Sequence, residues 1–390
     1  MITTTDLNSP EGVLSELLTG AVEVLDIAPE FEAHARERYR DIGRHLNQHG
    51  DAQGGAEWNV YAQGSFLLGT VVRPVAAEGE YDTDLVCVRM IKKESTTQAE
   101  LKYTVGQALE GYVRSADGLA LSESGRCWTL REPAWHFHAD VLPSIPDIDG
   151  SATGILLTDR DFARWLKSDP LRYAEWFKDR MKAEFLERMT KLAEVRKSKV
   201  EDIPESAVKT TLQRSVQVLK RHRDWHFRAQ STQAPASILI TTLAAHAYKG
   251  DQNLFEAVAM IAEAMPRYIQ RDEAGWCVQN PVQPEENFAD QWRMEPKRQQ
   301  IFMQWLDAVR RDLDEIRRSQ GIPTISERMA KSFGEDVVRK SAARLGAGYK
   351  ELRDLGRLGM GIGTGFLSTG TSSTRPVKSH AFYGAKDPEA

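Results

Sequence analysis

Much of what would classify this chain quickly is missing from it. Cysteine is scarce: Cys87, Cys127 and Cys277 are odd in number, far apart and outside any CxxC spacing. That pattern excludes a disulfide framework and a structural zinc site, and it makes a reducing cytoplasm the expected compartment. Long apolar runs are lacking too, and the first residues, MITTTDLNSPEG, carry neither a basic start nor an apolar stretch. The expectation is a protein without a signal peptide or a membrane span. Positive charge is not in excess, since the formal net charge is -5. Global attraction for nucleic acid is therefore excluded, although a local basic groove for a few phosphates is compatible with that charge. No GxSxG or comparable nucleophile motif occurs, so covalent catalysis is not required. Gly359, Gly361 and Gly363 fit no GxGxxG frame and follow no expected strand, which removes a dinucleotide fingerprint.

What is present centres on residues 61–88, YAQGSFLLGTVVRPVAAEGEYDTDLVCV. Asn59 to Ala62 reads as a short strand running into Gln63-Gly64-Ser65, a glycine turn with a hydroxyl suited to phosphate. Phe66 to Leu68 then starts a helical turn whose free amides face the same anion. After the Glu78-Gly79-Glu80 turn, Tyr81 to Val88 reads as a strand. Alternation places Asp82 and Asp84 on one face and Tyr81, Thr83 and Leu85 on the other. Like charges this close raise each other's pKa unless a cation neutralises them, and hard oxygen ligands beside phosphate suit magnesium. A third acid follows in the expected strand Trp135 to Leu142, where His136, His138 and Asp140 alternate with apolar residues. Asp140 on the same sheet face would complete a triad able to hold two metals. His136 and His138 are read as packing or base-contact residues, because magnesium prefers oxygen and no further nitrogen or sulfur ligand lies nearby.

Helical signals flank this region. Residues 10–49 carry an apolar helical series, 98–117 an amphipathic helix, and Ser124 to Leu130 another strand, while Pro143 and Pro146 with Asp147 to Gly150 are expected to break the sheet. From 159 to about 345 helices dominate. Lys178 to Lys199 mixes both charge signs as a solvated helix face does. Residues 206–228 put Val208, Leu212, Val216 and Leu219 on one stripe and carry Lys220, Arg221 and Arg223 towards the phosphates. His222-Arg223-Asp224 imitates a kinase catalytic loop, but it sits inside that helical run without the other kinase signatures. Ser237 stands in the first turn of the apolar helix PASILITTLAAHAY, again a place for an anion.

Together GSxxxGT, Asp-x-Asp in a strand and one acid in a further strand resemble the nucleotidyltransferase superfamily that includes DNA polymerase beta. With the LQRSVQVLKRHRD and PASILITTLAAHAY helices added, residues 30–345 are similar to the bacterial cGAS/DncV-like nucleotidyltransferases of CBASS anti-phage signalling. The resemblance implies an α+β, bilobal fold: a mixed-sheet catalytic lobe, a helical second lobe and an active site in the cleft between them. It also implies a cytoplasmic bacterial enzyme making a cyclic di- or oligonucleotide messenger from nucleoside triphosphates. By similarity Asp82, Asp84 and Asp140 are catalytic and hold two Mg2+ ions, with Mn2+ as a substitute. Gln63, Gly64, Ser65, Lys220 and Ser237 contact the nucleotide, with Arg221 or Arg223 replacing Lys220 if the helix register shifts. ATP is the expected first substrate and the second nucleotide is open. A downstream effector reads the product, and no membrane or obligatory nucleic acid is involved. The alternatives are a linear oligonucleotide synthase, a transferase acting on protein or RNA, and a silent nucleotide-binding scaffold.

Four segments are expected: an N-terminal helical segment packing across the lobes (1–50), the catalytic core (51–150), a helical lobe (151–345) and a flexible Gly, Ser and Thr-rich tail (346–390). SHAFYG at 379–384 is similar to family tails that a ubiquitin-like conjugation enzyme joins to other molecules. AKDPEA follows Gly384, so either Ala390 is the working end or a peptidase trims the chain back to Gly384.

Overall fold

The computed structural model describes residues 10–49, 55–76, 79–158, 164–362, 367–369 and 374–378. The first lobe is built on a seven-stranded sheet. Its strands are β1 (Trp58–Ala62), β2 (Tyr81–Arg89), β3 (Ala120–Glu123), β4 (Trp128–Glu132), β5 (Phe137–Pro146), β6 (Ile155–Leu157) and β7 (Leu166–Ser168). The order is β1-β2-β5-β4-β3, with β6 on β5 and β7 on β6. In this sheet β2 and β5 pair in parallel and the other pairs are antiparallel. Tyr81, Leu85 and Cys87 of β2 join Ala139 and Val141 of β5 in one apolar cluster, while Val86 and Val88 enter another. The central strands are therefore apolar on both faces except at the end carrying Asp82 and Asp84.

Eight helices complete the frame around the site: α1 (Pro10–Val24), α2 (Pro29–His49), α3 (Gly64–Leu68), α4 (Gln98–Ser115), α5 (Pro170–Asp179), α6 (Lys182–Arg196), α7 (Thr211–His226) and α8 (Ser237–Ala247). Parallel neighbours need a crossover, and α4 supplies it between β2 and β5. Its start is fixed by a capping box in which Thr97 N donates to Glu100 Oε2 at 2.8 Å and Glu100 N donates to Thr97 Oγ1 at 3.2 Å. The N-terminal apolar series is two helices, because Pro29 restarts the chain after a break at Asp26. α1 packs Leu14, Leu17 and Leu18 into the helical lobe, while α2 packs Ala35, Ile42 and Leu46 onto the sheet. The helical lobe closes over Phe177, Phe255, Phe302 and Trp305, which are fully buried, with further helices at Leu254–Ala264, Pro296–Arg318, Ile322–Phe333 and Glu335–Asp354.

Several expected boundaries are corrected. The strand expected from Ser124 to Leu130 is a hairpin of β3 and β4, because Ser124 N donates to Cys127 O and turns the chain at Gly125 and Arg126. Trp135 and His136 precede β5 rather than belonging to it, and His136 takes a left-handed backbone with φ 46°. Its face is therefore not that of His138. Pro143 and Pro146 do not break the sheet. Pairing with β4 ends at Val141 and pairing with β6 begins at Ser144, so Pro143 sits where that edge needs no donor. The sheet then continues past Gly150 through β6 and β7 to Ser168. α7 begins at Thr211, after a capping box between Thr210 and Gln213, and Val208 lies before it. The segment assigned to a flexible tail from 346 starts instead with the last turns of a helix ending at Asp354. A three-stranded sheet of Leu358–Gly361, Leu367–Thr369 and Thr374–Pro376 follows, with Leu358 buried in the helical-lobe cluster. Gly384 and SHAFYG lie outside the described residues.

Candidate active site

Parallel register sets the acidic wall of the site. Asp82 pairs with His138 and Asp84 with Asp140 across β2 and β5, so four polar side chains form two rungs on one face. Ligand atoms of Asp82, His138 and Asp140 lie within 4.8 Å of one another. Asp140 is oriented by Thr129 of β4, whose Oγ1 donates to Oδ1 at 2.6 Å. His138 Nε2 lies 3.1 Å from Asp82 Oδ1, and its Nδ1 lies 3.1 Å from Glu80 Oε2. Burial, then the charges of Asp82 and Asp140, push the Asp84 carboxyl up to about 7, with Lys220 and His138 opposing. The hydrogen bond to Asp82 raises the His138 pKa above the usual imidazole value.

The Gln63-Gly64-Ser65 turn is fastened to this wall. Gln63 N donates to Asp84 O at 2.8 Å, and Gly64 then takes φ +60°, a left-handed backbone that favours glycine. A Cβ at Gly64 would collide with Asp84 Oδ2, so the position excludes a side chain for two independent reasons. α3 is one short turn, which puts Ser65 beside the acids and ends at Gly69, φ +67°.

The opposite wall comes from α7 and α8. Lys220 is 6% exposed, and its Nζ donates to Thr70 O at 3.0 Å. Burial, followed by the Arg223 charge, lowers its pKa to about 8. Arg223 Nη1 donates to Ser237 Oγ at 2.7 Å and to Pro235 O at 3.0 Å, and its Nε donates to Asp224 Oδ1. Arg221 points elsewhere, donating to Phe333 O at 2.8 Å. Lys220 and Arg223 thus share the cleft, whereas Arg221 belongs to the interior of the helical lobe.

Both walls line one cleft of about 810 Å³, where Gly64, Ser65, Asp82 and Asp84 face Lys220 and Ser237. That volume suits a nucleotide-sized ligand. Gln63 is not among the lining residues and acts through its backbone, which ties the turn to β2. Composition and spacing did not point to Arg223 with Asp224 as a clamp on Ser237, or to Thr129 behind Asp140. Thr129 is a polar residue between Trp128 and Leu130 in β4, a signal that gains meaning only once β4 is placed beside β5. A smaller hollow of about 420 Å³ lies behind α3, lined by Ile27, Phe66, Met181, Phe185 and Val208 among others, and the three aspartates do not reach it.

The donor set tests whether a metal fits. Asp82, Asp84 and Asp140 offer hard carboxylate oxygens, with Glu80 at the rim, and the raised Asp84 pKa records burial and, after it, the charges of Asp82 and Asp140, a penalty that a divalent cation would relieve. The residues present fit a hard divalent cation.

Residues 15–180 match the Second Messenger Oligonucleotide or Dinucleotide Synthetase domain family. The chain is 28% identical over 383 residues to a protein of Roseivirga ehrenbergii named c-di-GMP synthase, covering 95% of this chain and 97% of that one. It is 26% identical over 356 residues to the cyclic dinucleotide synthase CdnG of Bradyrhizobium diazoefficiens, covering 85% of this chain and 82% of that one. Among solved structures, that CdnG in complex with GTP superposes with a TM-score of 0.70 at 23% identity, over 86% of this chain and 99% of the other. Apo DncV of Vibrio cholerae superposes with a TM-score of 0.60 at 16% identity, over 82% and 93%. Sequence relatives and a shared fold agree with the two-walled cleft: residues 15–180 carry the synthetase-domain match, and the chain is a nucleotidyltransferase similar to the cGAS/DncV-like enzymes.

Proposed function

We propose that the chain is a metal-dependent synthase of a cyclic di- or oligonucleotide messenger, serving anti-phage signalling. One observation carries the reading: a carboxylate cluster and a cationic, hydroxyl-bearing wall face each other across a single cleft. Ser65, Lys220 and Ser237 would grip the triphosphate, with Arg223 fixing the Ser237 hydroxyl. Asp82, Asp84 and Asp140 would hold the cations, two Mg2+ ions in the proposed scheme with Mn2+ as a substitute. When bound, those ions would polarise the α-phosphate and offset charge on the departing pyrophosphate. A 2′ or 3′ hydroxyl of one nucleotide attacks the α-phosphorus of another in line, and the bond to pyrophosphate breaks. Thr129 fixes the Asp140 carboxylate, and Asp140 takes the hydroxyl proton directly or through water. A second round with the intermediate turned in the cleft closes the ring. Downstream, an effector protein binds the released ring.

Names of the relatives favour guanine: one is a c-di-GMP synthase, and another was solved with GTP. GTP is therefore the first substrate to try, with ATP beside it. Incubation with labelled nucleotides and Mg2+ separates the readings. A small phosphatase-resistant product supports cyclisation, a phosphatase-sensitive ladder supports linear synthesis, and no turnover with any nucleotide supports a scaffold.

A further inference from the structure

Each of the three aspartates needs something to hold it. Asp140 has Thr129, and Asp84 is half-buried against the Gly64 turn, but the Asp82 side chain is 61% exposed. An exposed carboxylate on a strand end turns freely, and a cation site loses affinity when a ligand must be ordered on binding. The group that restrains it is on the neighbouring strand. His138 sits in register with Asp82, and its Nε2 is 3.1 Å from Asp82 Oδ1, leaving the second carboxylate oxygen for a cation. His138 is itself braced. Its Nδ1 lies 3.1 Å from Glu80 Oε2, an electrostatic contact outside hydrogen-bond alignment, and Glu80 is in turn 3.4 Å from Arg131 Nε. Arg131 is the β4 partner of His138 in register. Arg131, Glu80, His138 and Asp82 thus form a chain of alternating basic and acidic side chains running from β4 and β5 to the start of β2.

We propose that His138 is a positioning residue that sets the Asp82 carboxylate for the cation and does not itself ligate it. The inference rests on the reading of Asp82, Asp84 and Asp140 as cation ligands. It gives His138 a role other than the packing or base contact expected from sequence.

The test is Mn2+ binding without nucleotide, followed by the loss of the free-ion signal in electron paramagnetic resonance. His138→Leu should weaken binding about 10- to 100-fold, as the loss of an outer-shell partner does. His138→Gln, whose amide reaches the Nε2 position, should restore most of the affinity. Glu80→Gln, at the rim of the cleft, should weaken binding in the same direction by less, and it keeps the question open to decision if His138→Leu fails to fold. Wild-type affinity in His138→Leu or in Glu80→Gln overturns the proposal. So does an imidazole nitrogen coupling to Mn2+ in the wild-type spectrum, which would make His138 a ligand. If the wild type binds no Mn2+ at all, the cation reading of the three aspartates fails, which is a different result.

Discussion

The two walls of the cleft are built on opposite plans. The acidic wall uses a period-two strand, so Asp82 and Asp84 are neighbours in space because they are near neighbours in sequence, and parallel pairing adds Asp140. The cationic wall uses helices, where Lys220 and Arg223 share a face only through helical spacing and Ser237 arrives from a separate element. Strand geometry makes the first wall nearly self-specifying, whereas packing has to aim the second. The chemistry follows the same division: exchanging one oxygen ligand should be fatal on the strand wall, and graded losses are expected on the helix wall.

The largest expected effect tests the strand wall. Asp84→Asn or Asp82→Ala should abolish nucleotide turnover, followed as pyrophosphate release, while circular dichroism stays that of the parent. Retained turnover in either variant would erase the contrast between the walls. Next comes Gly64→Ala, which places a methyl against Asp84 in a left-handed backbone. It should cost about 1–3 kcal/mol of stability in denaturant melts and most of the activity. Lys220→Met should act mainly on nucleotide affinity. A charged hydrogen bond contributes about 1.5–3 kcal/mol, roughly 10- to 150-fold in KM. Smallest of all, Ser237→Ala leaves Arg223 its bonds to Pro235 O and Asp224 and keeps the other cleft groups in place, so it should raise KM only several-fold.

Titration sharpens the same contrast, because each wall owns one limb of the pH profile. Asp84, pushed up to about 7, must lose its proton before it can hold a cation, so activity should fall as pH drops below about 7. Lys220, lowered to about 8, loses its charge as pH rises, so KM for nucleotide should climb above about 8. The stability signs differ from those of ordinary ion pairs. A raised carboxyl makes the metal-free protein less stable as pH rises from about 4 to 7, because the folded state binds the extra proton in that window. A lowered lysine makes it more stable as pH rises from about 8 towards 10.5, because there the unfolded chain binds the extra proton. Melting temperatures of wild type, Asp84→Asn and Lys220→Met across pH 4 to 10 check both slopes: each variant should flatten one of them.

What could be read from sequence follows the same physics. The β1-turn-α3-β2 unit and both aspartates were legible because a glycine turn and strand alternation are local rules. Asp140 was legible as a candidate from its strand pattern. Its register against Asp84 required the sheet order, which depends on the α4 crossover. The β3–β4 hairpin was missed because its turn signal, Ser124-Gly125, falls at the start of the expected strand and was absorbed into it, and β5 was shifted because Pro143 is tolerated only where one edge of the strand lacks a partner. Lys220 could not be separated from Arg221 and Arg223 on helical periodicity alone, since the deciding facts are contacts with Thr70, Phe333 and Ser237.

Gln213, Gln217 and Lys220 stand on one face of α7, and their side-chain nitrogens donate to Leu68 O at 2.9 Å, Val71 O at 2.7 Å and Thr70 O at 3.0 Å. The same Gln213 closes the cap of α7 by accepting from Thr210 N, and a Cβ at Gly69 would come within 2.6 Å of its amide nitrogen. The seam between the lobes is thus written in side chains on one side and in backbone carbonyls on the other. Carbonyls are indifferent to residue type, so these three bonds ask nothing of the side chains at 68, 70 and 71, of which Leu68 and Val71 pack into the two cores, while they do require Gln213, Gln217 and Lys220. A helical lobe taken from a relative should therefore seat on this sheet only when it brings those three residues at the same spacing.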